Sequence, residues 1–269
     1  MSEAVVTLDT LQQALRSVGL QEGDICLFHS SLRAFGKVEG GPQTFISAME
    51  KIVGKEGTLV APTLCQVDFL NSYKTWYMDK PSDVGYLTEY FRKLPYVYRS
   101  NQATHSVAAR GKLAYELTWE HSLRGPHTCP FGPYAFSDGS PWAKMYERNA
   151  KVVFLGVSTT YLTLKHFVEI RFVEWALDQI QDPVKRNKAK ACLENFENGT
   201  QIWPYYKCDL VEPYLKEAGL IRSAQCGPAT ILCVDAKEVC DFTLELLKTR
   251  GQELVFSKGR AWLQEFLQA

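Results

Sequence analysis

The sequence predicts an α/β fold, a single large layered domain over residues 1–269 with a central mixed sheet flanked by helices. Three observations carry the prediction. Short apolar runs alternate with longer segments of helical period. Each run halts at glycine, proline or a polar cluster. Neither an internal repeat nor a low-complexity linker divides the chain. A chain of 269 residues buries a large enough fraction of its surface to stabilise one core without staples.

The elements follow in order. Thr7 or Asp9 caps a first helix over Leu8 to Val18, with Leu8, Leu11, Leu15 and Val18 on one stripe and Gly19 closing it. Asp24 to Phe28 reads as a buried strand that ends at His29-Ser30-Ser31. Gly40-Gly41-Pro42 opens a helix through Val53, with Phe45, Met49, Ile52 and Val53 at helical spacing and the proline suited to the first turn. Gly57 to Pro62 is a second strand, halted by its proline. Helical pieces are expected at 85–94, 112–120 and 141–148, and a strand at 152–155. Beyond them come a strand at Ile202-Trp203, a helix near 209–218, a strand at 231–234 and a helix over 236–248. The polar stretch from Asp178 to Gly199 is expected as an insertion or lid.

Composition excludes several classes. With 30 basic and 30 acidic side chains the formal net charge is zero, so there is no electrostatic footprint for nucleic acid. No run approaches the roughly 20 apolar residues of a membrane span. Met1 to Thr7 lacks the basic and apolar regions of a signal peptide. Eight cysteines, with no C-x-x-C pair and no zinc-module spacing, read as reduced thiols, and the expected compartment is the cytoplasm. No metal is expected.

The most informative stretch is Thr163-Leu164-Lys165-His166-Phe167-Val168-Glu169, which follows the apolar run Val152 to Leu155 and Gly156. On a helix His166 and Glu169 lie three residues apart, about 60° of rotation, on one face. A carboxylate beside an imidazole can fix its tautomer and stabilise the cation formed when the ring accepts a proton, which suits proton transfer near neutral pH. Three further clusters accompany it. His29-Ser30-Ser31-Leu32-Arg33 ends a strand with hydroxyls and backbone N–H groups pointing off the sheet edge, the kind of concavity that accepts a phosphate. Tyr98 to Ala109 is a polar loop, including Thr104, His105 and Ser106, running into a short apolar strand at Val107, with side chains that could face a ligand. Pro130 to Tyr134, then Gly139-Ser140-Pro141, is a stiff loop able to wall a pocket.

In register, these segments resemble the aminoglycoside 3-N-acetyltransferase (antibiotic N-acetyltransferase) family from about residue 8 to residue 248. The family's H-S-S-L strand end is His29 to Leu32, its G-G is Gly40-Gly41, and its G-T-L-V-x-P strand is Gly57 to Pro62. A small glycine, F-R and R-S follow as Gly85, Phe91-Arg92 and Arg99-Ser100, and S-[FV]-x-A-x-G is Ser106 to Gly111. S-P is Ser140-Pro141, the L-L-G strand end is Phe154 to Gly156, and T-x-x-H-x-x-E is Thr163, His166 and Glu169. One departure stands out. The family's R-S-x-H-P reads Arg99-Ser100-Asn101-Gln102-Ala103 here, so its histidine and proline are replaced.

The resemblance implies an acetyl-CoA-dependent N-acetyltransferase of the family's own α/β fold, acting by direct transfer on a primary amine of an aminoglycoside, the 3-amino group by family pattern. It further implies His166 as general base oriented by Glu169, with His29 sharing that work or positioning the thioester. Ser30, Ser31, Leu32 and Arg33 are then expected at the CoA phosphates or pantetheine, and Thr104, Ser106 and Val107 along the pantetheine arm. A cationic acceptor would meet Glu169, Glu174 and Asp178, the last two leading a run with Asp182 along the helix. The chain is expected to work as a monomer or homodimer without nucleic acid or membrane. The alternatives are an acetyltransferase for another amino sugar or small amine, a thiol-dependent acyl transferase or hydrolase using Cys65 or Cys129, and an inactive binding protein that keeps the fold.

Overall fold

The computed structural model describes residues 5–67, 72–123, 129–132, 134–194 and 202–267. Strands β1 (Ile25–Ser30), β2 (Thr58–Pro62), β3 (Tyr98–Arg99), β4 (Val107–Gly111), β5 (Lys151–Leu155), β6 (Arg222–Cys226) and β7 (Ala229–Asp235) form one sheet in the order β3-β4-β2-β1-β5-β7-β6. At its centre β1 runs parallel to both neighbours, with Leu27 opposite Val60 of β2 and Val152 of β5. The flanking pairs, β2 with β4, β3 with β4, β5 with β7 and β6 with β7, are antiparallel, so the sheet is mixed.

The apolar runs of β1 and β5 are continuous because both faces of these strands are covered. On one face, Cys26, Phe28, Val153 and Leu155 pack with α1 (Leu8–Ser17) and α2 (Pro42–Val53). Beyond α3 (Ser72–Thr75), the short α4 (Tyr86–Arg92) completes that layer through Leu87 and Phe91. On the other face, Leu27, Val152 and Phe154 pack with α5 (Ala114–Thr118), α6 (Pro141–Glu147) and α7 (Lys165–Gln179). The same layer holds α8 (Pro183–Glu194), α9 (Cys208–Glu217), α10 (Ala236–Leu254) and α11 (Ser257–Leu267). The chain therefore leaves β1 for one face and β5 for the other. Where adjacent parallel strands diverge in this way their carboxyl ends open a crevice, the usual place for a ligand in such sheets. None of the described helices is long and apolar enough to cross a membrane.

Local chemistry explains the ends. Thr7 caps α1 in a reciprocal box, its hydroxyl accepting from the Thr10 N–H at 3.3 Å while its own N–H donates to Thr10 Oγ1 at 2.9 Å. Ser140 caps α6 by accepting from the Ala143 N–H, with Pro141 in the first turn.

Several expectations are corrected. Ile202-Trp203 is not a strand: Pro204 removes a ladder donor there, and the segment makes only an isolated bridge between Tyr206 and Val255. The stretch expected as an insertion supplies the end of α7 and all of α8, whose Ala189 and Leu193 are buried in the core; residues 195–199 lie outside the described ones. The expected helix at 236–248 runs on to Leu254, past non-helical backbone at Arg250. Strand β6 and helix α11 have no counterpart in the sequence reading.

Candidate active site

Gly156 makes the exit from β5 possible. Its φ is +67°, and a Cβ there would stand 2.6 Å from that of Ala34. The chain then turns through 157–164 and enters α7, so that His166 and Glu169 fall in the first turns of that helix, where the His166 ring meets His105, just ahead of β4 at the carboxyl end of β2. Their side chains meet: His166 Nδ1 is 2.7 Å from Glu169 Oε2. Glu169 is fully buried, and its second oxygen accepts the backbone N–H of Tyr206 at 3.2 Å, with Lys165 Nζ 3.9 Å away. The His166 ring lies in an aromatic wall, with ring centroids 4.1 Å from Phe131, 5.7 Å from Phe136, 5.7 Å from His105 and 6.2 Å from Tyr205. The stiff loop read from sequence is part of that wall; its Pro133 lies outside the described residues.

Burial governs the electrostatics. It lifts the Glu169 carboxyl to about 8, against the lowering pull of Lys165 and the Tyr206 N–H. It holds the His166 imidazole well below its usual range, and the Lys165 cation adds to that. At 2.7 Å the two groups share a proton and titrate as a unit. When the shared site loses its extra proton, the carboxylate accepts Nδ1–H and the Nε2 lone pair is free to act as a base.

Behind the wall is a hydrogen-bonded loop. Thr104 and Ser106 are fully buried: Thr104 Oγ1 donates to the Phe131 carbonyl at 2.5 Å, and Ser106 Oγ donates to the Thr63 carbonyl at 2.9 Å. Val107 is buried in the core. The polar side chains that the sequence offered to a ligand are thus turned inward, and Thr104, Ser106 and Val107 form the support of a pocket rather than free groups in it. Gln102, standing where the family has histidine, ties this loop: its Oε1 accepts from the backbone N–H groups of Thr104 at 2.8 Å and His105 at 2.5 Å. Arg99 clamps the other side, donating to Thr63 Oγ1, Ser106 Oγ and the Met78 carbonyl.

The carboxyl end of β1 carries the remaining candidates. Ser30, Ser31 and Leu32 are half-buried, and Arg33 is exposed. The Ser31 N–H is committed to the Leu155 carbonyl at 2.9 Å, so this donor is not available to an anion. His29 is buried and stacks on Phe154, centroids 5.4 Å apart and planes at 16°.

Glu174 and Asp178 lie further along α7 and line a cavity of about 710 Å³ between α7 and α8, together with Ile170, Arg186, Lys190 and Trp203. Ile170 is one turn beyond His166. Glu174 is paired with Arg171 at 3.0 Å, and Asp178 is exposed. Asp182 leaves this run to cap α8, accepting the Val184 N–H. The two thiols singled out earlier are poor nucleophiles. Burial raises Cys65, whose Sγ donates to the Pro81 carbonyl, and lifts Cys129 to about 12. Sequence reasoning missed Lys165, Tyr205 and the Tyr206 N–H at the dyad. Their signal is tertiary, apart from Lys165, which sits within the motif itself.

A model of the aminoglycoside 3-N-acetyltransferase family matches residues 27–248. The aminoglycoside N(3)-acetyltransferase IX of Micromonospora chalcea is 28% identical, aligned over 91% of this chain and 94% of that protein. The aminoglycoside N(3)-acetyltransferase VII of Streptomyces paromomycinus is 27% identical over 99% and 94%. Among solved structures, AAC-IIIb in a binary complex with CoASH has the same fold, with a TM-score of 0.71 at 23% identity over 92% of this chain and 98% of that one. The family match spans both the β1 strand end and the His166–Glu169 dyad, and the chain belongs to the aminoglycoside 3-N-acetyltransferase family.

Proposed function

We propose that this protein transfers the acetyl group of acetyl-CoA directly to a primary amine of an aminoglycoside, the 3-amino group by family pattern, with His166 as general base. The observation that carries the reading is the dyad: an imidazole 2.7 Å from a fully buried carboxylate, at the carboxyl end of the sheet and walled by Phe131, Phe136 and Tyr205. As the amine nitrogen attacks the thioester carbonyl carbon, His166 takes the proton that nitrogen sheds, and Glu169 stabilises the imidazolium. Collapse of the tetrahedral intermediate breaks the C–S bond, the thiolate leaves as CoA, and it recovers the proton. The products are an amide and CoA thiol. No covalent enzyme intermediate is needed, consistent with the burial that keeps Cys65 and Cys129 protonated.

For the donor, the reading assigns Ser30, Ser31, Leu32 and Arg33 to CoA, supported by the CoASH complex of AAC-IIIb, which shares the fold. For the acceptor, it assigns the cavity along α7, with Glu174 and Asp178 at its side. One observation favours a second reading, a smaller amino sugar or amine of low charge. Two of the cavity's three carboxylates are already compensated, Glu174 by Arg171 and Glu194 by Lys190 at 3.6 Å, and Arg186 lines the same space. A thiol-release assay with acetyl-CoA against matched panels of aminoglycosides and singly charged amino sugars separates the two. Turnover of the polycations, with a KM that rises with salt, supports the first. Turnover confined to singly charged amines, insensitive to salt, selects the second. Hydrogen exchange tests the donor assignment: CoA should protect 29–33, and protection confined to other segments refutes it.

A further inference from the structure

Four histidines lie among the described residues, and three of them have protein partners. His166 Nδ1 meets Glu169. His105 meets Thr104 Oγ1 at 2.9 Å and Gln66 Nε2 at 3.3 Å. His121 meets Ser100 Oγ at 2.8 Å and the Ala135 carbonyl at 2.9 Å. His29 differs: it is only 7% exposed, and its Nε2 is buried with no hydrogen-bond partner among the described residues. Buried polar nitrogens are almost always bonded, and one left unpaired near the carboxyl end of a strand calls for a partner that the described residues do not supply. The ring is already oriented. It lies flat on Phe154, its partner in the β1–β5 register, one residue before β1 ends at Ser30. In the pleat it belongs to the face that α7 covers, the face that carries His166.

We propose that His29 is a catalytic residue of a kind distinct from His166: a neutral, pre-oriented imidazole N–H that donates a hydrogen bond to the acetyl carbonyl oxygen of bound acetyl-CoA and to the oxyanion that develops there. This rests on the acetyl-transfer reading above. The two histidines divide the work because their surroundings differ. His166 has a carboxylate to stabilise its cation and can take a proton. His29 faces phenylalanine, has no carboxylate beside it among the described residues, and is held by burial down to about 3, so it stays neutral through the working range. A neutral donor fixed by stacking requires no reorientation as charge builds on the oxygen, the condition under which such hydrogen bonds accelerate acyl transfer most.

The test uses the full-length protein and its best acceptor from the thiol-release panel. His29→Phe keeps an aromatic stack but removes the donor. It should lower kcat about 100-fold, leave the Kd for CoA unchanged, and leave the acid limb of the pH profile where wild type has it. His29→Asn restores a non-titrating donor and should recover much of the loss. Wild-type kcat in His29→Phe, no recovery in His29→Asn, or a displaced pH limb in either variant overturns the proposal. Should His29→Phe fail to fold, the wild-type protein still decides. The carbonyl stretch of a ketone isostere of acetyl-CoA should move to lower frequency on binding, and binding without a shift overturns the role of His29 alone. Failure of the wild type to bind CoA or turn over any amine overturns the transfer reading itself, and the role of His29 falls with it.

Discussion

Two buried carboxylates at opposite ends of the central strands have opposite fates. Glu169, over the carboxyl ends of β1 and β5, has an imidazole, one backbone N–H and a lysine nitrogen at 3.9 Å, too little to offset burial, and its carboxyl rises to about 8. Asp235, at the end of β7 and opposite Lys151 in register, is also buried but less deeply, 5% exposed where Glu169 is fully enclosed. Burial there too acts to raise the carboxyl, but hydrogen bonds from Lys151 and from Arg222 at 2.6 Å reverse the effect and leave it below its ordinary value. Identical chemistry is therefore poised for proton transfer in one place and locked as an anion in the other. The depth of burial and the number of cations within contact together decide which.

The largest expected effect is on the poised end. His166→Ala should lower kcat by roughly 10² to 10⁴-fold while leaving CoA binding nearly unchanged, measured by steady-state thiol release and calorimetry; a wild-type kcat would remove His166 from the chemistry. At the locked end, Asp235→Asn strips two cations of their partner. It should cost about 2 to 4 kcal/mol of stability in denaturant titration, with kcat per folded molecule preserved. If that variant lost kcat without losing stability, the division between the two ends would be wrong.

Titration sharpens the contrast, because the signs differ. Asp235 is depressed in the fold, so its contribution is present above the ordinary carboxylate range and is lost as pH falls through its folded value. Glu169 is raised, so its contribution is present below that range and is lost as pH climbs toward about 8. The ionised dyad is thus the less stable form and, on the proposed mechanism, the more active one. Glu169→Gln should lower kcat about 10 to 100-fold yet raise the wild-type Tm at alkaline pH, and a Tm that falls there instead would contradict the raised carboxyl. Lys165→Met removes a charge that lowers both members of the dyad, so the acid limb of kcat/KM should move to higher pH. An unmoved limb would take Lys165 out of the electrostatics. The smallest effect belongs to a site in neither region. Thr7→Ala opens the cap of α1 and should cost about 1 kcal/mol in the same titration, with activity unchanged.

Much of this was legible beforehand where the determinants are local. The cap of α1, offered to Thr7 or Asp9, the proline-led α2 and the apolar strands β1, β2 and β5 are set by neighbours in sequence, and so is the three-residue spacing that brings His166 to Glu169. What escaped was decided by distant partners. β6 reads Arg-Ser-Ala-Gln-Cys, with no apolar run, and becomes a strand because β7 offers it an edge. Ile202-Trp203 has a strand's composition, but Pro204 and the course of the following chain turn it toward Glu169 through Tyr206. Gln102 read as the loss of a family histidine. In the fold it anchors the loop that supports the aromatic wall.

The sequence by itself determined the alternation of elements and the adjacency of the dyad, since each depends on period, turn chemistry or residues within one helical turn, and its motifs in register carried the resemblance to the family. Tertiary structure alone decided how that dyad titrates and why His29 differs from it. Desolvation is imposed by groups far away in sequence: Phe131, Phe136 and Tyr205 around His166, Tyr206 on Glu169, and Phe154 beneath His29. No spacing rule encodes how many waters and cations those neighbours exclude.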